Sequence, residues 1–166
     1  MTRSEETYLD WVNGGYFMSS RTYYFMAKTM IEELGPKKGK ELFLKQIYKM
    51  GNHMGKQNRK HVTSQGKENN IEEWFGPSLS DLSVYSFAWE QSKREVSRDE
   101  AVVEWSVCPI AEGFKKCGSE GIEIGEWFCD NIDNASVQGY NPKYECVRES
   151  SLHKDGFCRL HFKLKE

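Results

Sequence analysis

Ala101-Val102-Val103-Glu104-Trp105-Ser106-Val107-Cys108-Pro109 is the stretch on which the fold turns. Ala101, Val103, Trp105 and Val107 alternate with Glu104 and Ser106, the period of a strand with one buried face. Pro109 then opens a helix reaching Lys116, because proline is favoured at the first helical position, and Gly118 stops it. Upstream, Leu82 to Glu95 is rich in Val, Tyr, Phe and Trp and reads as a long strand. The polar turn Ser97-Arg98-Asp99-Glu100 makes the two strands a hairpin. Downstream, Ile122 to about Val137 reads as a helix, with Ile124, Trp127, Phe128, Ile132 and Ala135 along one side. Tyr140-Asn141-Pro142 is a turn. Lys143–Ser150 and Phe157–Lys165 form a second hairpin across Lys154-Asp155-Gly156.

The first half carries a different period. Tyr23, Ala27, Met30 and Leu34 recur at helical spacing from Arg21 onward, and Gly35-Pro36 closes that helix. Phe43, Ile47, Met50 and Met54 repeat the pattern in a second helix from Lys37 to about Lys60. Its first turn holds Lys37, Lys38 and Lys40, the wrong sign for the positive end of a helix dipole. Thr63–Asn70 reads as a polar loop. Asn69 or Asn70 caps a short helix with Ile71, Trp74 and Phe75, ended by Gly76-Pro77. The expected fold is one α+β domain over residues 1–166, with N-terminal helices packed on an antiparallel sheet made of two hairpins. No P-loop or GxGxxG follows a strand.

The chain has 166 residues, enough for one sizeable core, with 29% charged residues and a net charge of -2. That balance argues against a dedicated nucleic-acid binder. No apolar run approaches the ~20 residues that span a bilayer, so no membrane partner is expected. Five cysteines, an odd number without a signal-peptide core, suggest reduced thiols and a cytoplasmic protein.

Three cysteines fall on separate elements. Cys108 caps the helix that Pro109 begins, where the positive helix end is expected to lower its pKa; the alternative is a strand-end thiol filling apolar space. Gly125, Cys129, Asp133 and Ser136 share one narrow helical stripe, a thiol, a carboxylate and a hydroxyl able to line a pocket that Gly125 leaves open. The bland reading is a core-edge thiol beside a solvated carboxylate. Cys158 alternates with Leu160, Phe162 and Leu164 on the core side of the last strand, while Arg159, His161, Lys163 and Lys165 face away. Cys117 and Cys146 have no motif around them and read as structural. His53, near the apolar face of the second helix beside Gly51 and Gly55, is a candidate base or a hydrogen-bonded edge residue. His161 reads as solvated and His153 as a turn residue. No HxH, HExxH or CxxC is present, so neither a dedicated metal site nor a cofactor is expected. Thiolate ligation of zinc or iron by Cys108, Cys129 and Cys158 remains a third possibility, at no standard spacing.

Cys108-Pro109, Phe128-Cys129-x-x-Ile132-Asp133, Tyr140-Asn141-Pro142, Leu152 and Gly156-x-Cys158-x-x-x-Phe162 together resemble the L-2-amino-thiazoline-4-carboxylic acid hydrolase family. The resemblance spans roughly residues 105–162. It implies hydrolysis of a carbon–nitrogen bond in a small cyclic amidine, with Cys129, Asp133 and Cys108 as catalytic candidates. Cys158, His53, Tyr140 and Asn141 are the substrate-binding candidates. Arg21 or Arg148 would be available for a substrate carboxylate. The expected partner is a small-molecule substrate, with no nucleic acid and possible homo-oligomerisation. A related resemblance, to 4-vinyl-reductase-type domains, implies instead non-catalytic small-molecule binding or sensing.

Overall fold

The computed structural model describes residues 3–76 and 89–166. Its elements are α1 (Arg3–Leu34), α2 (Pro36–Ser64), α3 (Ile71–Trp74), β1 (Glu90–Val96), β2 (Ala101–Val107), α4 (Pro109–Lys115), α5 (Gly118–Tyr140), β3 (Tyr144–Ser150), α6 (Leu152–Asp155) and β4 (Cys158–Leu164). The sheet is antiparallel throughout, in the order β1-β2-β4-β3. Each hairpin supplies two adjacent strands, and β2 joins β4 with Val103 opposite Leu160 and Trp105 opposite Cys158. This is the expected α+β architecture. Among the described residues no helix is long and apolar enough to cross a membrane.

Several boundaries differ from the sequence reading. Helix α1 begins at Arg3, not Arg21, and α2 runs to Ser64. The expected strand from Leu82 is described only from Glu90; its earlier residues lie outside the described ones. Gly118, with φ +80, stops α4 and also opens α5, which is longer than Ile122–Val137. A short helical turn, α6, stands in the second hairpin before Gly156.

Gly35 alone links α1 to α2, at φ 79 and ψ 162, a conformation only glycine adopts readily, and Pro36 supplies the first helical residue. Among the described elements, helices α2 and α5 pack most extensively. Their backbones touch: a Cβ on Gly55 would stand 1.9 Å from the Ser136 carbonyl oxygen. Helix α5 thereby divides two apolar clusters. Ile124 and Phe128 join Tyr24, Phe43, Ile47 and Phe114 on the helical side. Val137 joins Val103, Cys146, Leu160 and Phe162 on the sheet side. The outer sheet face is laced by polar side-chain contacts rather than bare. His161 bridges Glu100 (2.6 Å) and Glu149 (3.0 Å), and Lys163 faces Glu145 at 3.7 Å. Of the three lysines at the start of α2, Lys40 lies 4.1 Å over the Trp127 ring while Lys37 and Lys38 are exposed.

Candidate functional site

Around α5, successive residues point toward different neighbours at ~100° steps. Gly125 meets the Phe114 ring, with a Cβ placed 2.8 Å from Cγ, and Ser136 lies against Gly51 of α2. Both ends of the expected stripe are therefore sealed by helix packing; Gly125 leaves room for Phe114, not for a ligand. Glu126, Asp130 and Val137 face the sheet. Cys129 and Asp133 fall between these two directions, in the corner where the helical cluster meets the sheet. Cys129 packs at the edge of the helical cluster and Cys158 at the edge of the sheet cluster. Cys108, at the end of β2, caps α4 with extended backbone (φ -136, ψ 112).

Cys108, Cys129, Cys158 and Asp133 lie within reach of one another's charge. All four are recessed, crowded by protein atoms yet not closed off from solvent. Burial pushes the Cys108 thiol up to about 12, overriding the N–H groups of Ala111 and Ile110 that favour the thiolate. The expectation of a lowered pKa there is overturned. The helix end is present, but desolvation of a thiolate outweighs one short helix's amides, and neighbouring Cys158 and Asp133 add repulsion. Burial likewise raises Cys129 and Cys146, and lifts Cys158 to about 11. These are neutral thiols at physiological pH.

Asp133 behaves differently. Burial lifts it from 3.8 to about 6, with the Arg148 guanidinium pulling the other way. No described residue gives it a hydrogen bond or ion pair. It is a carboxyl poised to change protonation near neutral pH, the property a general acid–base needs.

Arg148 comes from the inward face of β3, after Tyr144 and Cys146. Its Nη2 lies 2.8 Å from Glu126 Oε2 and 2.6 Å from Asp130 Oδ1, and its Nε donates to Asp130 at 2.9 Å. Ser151 Oγ donates to Glu126 Oε1 at 2.6 Å. The guanidinium is occupied, so Arg148 sets the charge beside Asp133 and Cys129 and is not free to clamp a substrate carboxylate. The network had a sequence signal: an arginine at an inward strand position, and two acids four apart on a facing helix.

The remaining candidates lie elsewhere. His53 is exposed on α2, its Nε2 3.3 Å from Gln57 Nε2, because the flanking glycines Gly51 and Gly55, not the histidine, face α5. Arg21 is exposed on α1. Tyr140 is fully buried and donates to the Asn70 carbonyl at 3.1 Å. Asn141 Nδ2 donates to the Asn69 carbonyl at 2.7 Å. Both tie the end of α5 to the loop before α3, two turns or about 10 Å along the helix from Asp133. On the other side of Cys158, Trp105 stacks edgewise on Trp89 (5.5 Å between centroids), which meets Tyr16 at 5.7 Å. This aromatic wall was missed as a site feature, since alternation alone marks Trp105 only as core. Among the described residues no three His, Cys, Asp or Glu side chains gather closely enough to hold a metal ion.

The family model for L-2-amino-thiazoline-4-carboxylic acid hydrolase matches residues 16–162. The chain belongs to that family. A crystal structure described as trafficking protein particle complex subunit 3 from Naegleria fowleri, covalently bound to palmitic acid, shares the fold with a TM-score of 0.51 at 14% identity. The match covers 92% of this chain and 96% of that one. No protein with a curated description matches the sequence.

Proposed function

We propose that this member of the L-2-amino-thiazoline-4-carboxylic acid hydrolase family hydrolyses a carbon–nitrogen bond of a small cyclic amidine, with Asp133 as general base and acid. The observation that carries this reading is the protonation pattern of the recessed cluster. Its one carboxyl titrates near 6 while its thiols are held neutral. A thiolate attack would first require deprotonating a sulfur at a cost that burial makes large. A water attack requires only the carboxylate that Asp133 presents above about pH 6.

In this mechanism Asp133 takes a proton from a water as its oxygen bonds to the amidine carbon. The C=N electron pair moves to the ring nitrogen, which takes up the proton from Asp133. Asp133 then removes the hydroxyl proton of the adduct and delivers it to that nitrogen as the C–N bond breaks. The net change is addition of one water. Cys108, Cys129 and Cys158 form a soft, weakly polar wall suited to a sulfur-containing ring. Arg148 is a positioning residue that keeps Asp133 from rising further.

A second reading, a non-catalytic binding pocket, draws on the same neutral thiols, which make a lining as well as they would make a poor nucleophile. Incubating the purified protein with L-2-amino-thiazoline-4-carboxylate separates the two. Under the hydrolase reading, mass spectrometry finds product heavier by one water, and Asp133→Asn abolishes it while Cys129→Ser retains it. Saturable binding without turnover supports the pocket; a covalent adduct on a cysteine refutes the water mechanism.

A further inference from the structure

Helix α1 is amphipathic on two sides. Its inner side buries Ser20, Tyr24 and Ala27. Its outer side presents Tyr8, Trp11, Gly15, Met18, Thr22, Phe25, Thr29 and Glu32, all exposed, at alternating spacings of three and four residues. That is the seam period of two helices packed side by side. Along it, large apolar residues alternate with small ones. Trp11 is 79% exposed, Met18 62% and Phe25 61%, and between them stand Gly15, Thr22 and Thr29. Thr22 spends its hydroxyl on the Met18 carbonyl at 2.8 Å, leaving its methyl group to face outward. A Cβ on Gly15 would meet nothing within 4 Å, so nothing among the described residues explains a glycine in the middle of a long helix, where it is unfavourable. A shallow groove lies on this same face, bordered by Met18, Thr22, Phe25 and Thr29.

We infer that the outer face of α1 is a homodimer interface, in which α1 packs antiparallel on α1 of a second copy about a two-fold axis passing near residue 20. The pattern is complementary to itself in this one register. Trp11 falls opposite Thr29 of the other copy, Met18 opposite Thr22, and Phe25 opposite Gly15. Trp11, Met18 and Phe25 each meet a small residue, and Gly15 is the notch for the Phe25 ring. At the ends, Tyr8 falls opposite Glu32, so its hydroxyl meets a carboxylate. A parallel, in-register pair would instead set Trp11 against Trp11 and leave gaps at Gly15. An isologous contact of this kind closes on itself, as a two-fold dimer requires.

The size is sufficient. The seam from Tyr8 to Glu32 is about 36 Å long at 1.5 Å per residue. Its four large side chains expose roughly 500 Å² of mainly apolar surface, taking the area an aromatic side chain can bury. Two copies together supply about 1,000 Å² before the flanking residues are counted, close to the 1,200–2,000 Å² range of specific interfaces.

Sedimentation of the full chain tests this. At tens of micromolar the protein is expected at about twice its 19.3 kDa chain mass. Met18→Glu puts a charge at the seam's centre and should weaken the dimer about a hundredfold or more, with helix content by circular dichroism unchanged. Gly15→Leu raises helix propensity but fills the notch, and should weaken the dimer about tenfold or more; it keeps the test valid whatever Met18→Glu does to folding. Lys49→Glu, on the outer face of α2, should leave the dimer intact. A monomer at that concentration overturns the inference. So does a dimer indifferent to Met18→Glu, or one that Gly15→Leu tightens, which would point to a parallel or non-specific apolar contact.

Discussion

Replacing Asp133 with asparagine should make the protein more stable while removing its activity. Asparagine keeps the shape of the carboxyl but cannot carry its charge. Folding lifts Asp133 from 3.8 to about 6 because its environment penalises the carboxylate. The folded state therefore holds the proton more tightly than the unfolded chain does. Stability from this group is full below about pH 3.8 and declines as pH rises between the two values. It is wholly lost above about 6. At pH 8 the folded protein carries an ionised, recessed carboxylate at a cost of up to about 3 kcal/mol, from 1.36 kcal/mol per pH unit, less whatever its residual contact with water relieves. For a chain of this length that corresponds to roughly 6–12 °C in Tm. Thermal unfolding of both proteins across pH 4–8 is the assay. The Asp133→Asn variant should gain on the wild type as pH rises and plateau above about 6. Equal stability at pH 8, or a destabilised variant, would mean that Asp133 is a well-satisfied structural carboxylate and not a poised one.

Arg148→Met should cost about 1–3 kcal/mol in urea unfolding, because Glu126, whose side chain is 10% exposed, loses its guanidinium and keeps only the Ser151 hydroxyl and the exposed Lys154 ammonium at 3.3 Å; it should also move the pH midpoint assigned to Asp133 upward, since Arg148 is what holds that carboxyl down. Gly55→Ala should destabilise by at least about 3 kcal/mol, because its methyl group would enter the backbone of α5 at Ser136 and Tyr140; circular dichroism during heating reads it. A thiol reagent should count five free thiols in denaturant, and in the native protein at pH 7.5 should react slowly at Cys108, Cys129, Cys146 and Cys158, which burial keeps protonated.

Strands β2, β3 and β4 and helices α4 and α5 were legible because each buries one face. Ala101–Val107 alternates cleanly, and Pro109 marks the next helix. The first eighteen residues of α1 were not legible as helix, because Trp11, Met18 and Phe25 stand opposite the buried Ser20, Tyr24 and Ala27, so no single apolar side marks the segment. The site was half legible. Spacing put Cys129 and Asp133 on one side of α5, and alternation put Cys158 on the inner sheet face. What surrounds them was not readable. Phe114, which fills the space at Gly125, comes from another helix. The acids that occupy Arg148 lie 18 and 22 residues away in sequence. The direction of the Cys108 shift depends on burial, which a local helix-end argument does not contain. His53, expected near the apolar face, is exposed because a residue between Gly51 and Gly55 lies on the opposite side of the helix from both.

The pH dependence of kcat/KM for L-2-amino-thiazoline-4-carboxylate hydrolysis bears most directly on the central claim. A base of Asp133's character predicts activity that rises with pH through about 6 and then stays level, with no acyl or amidino adduct on the enzyme. A profile that climbs only above pH 8, with activity destroyed by alkylation of Cys129 or Cys108, would assign the attack to a thiolate and contradict the account.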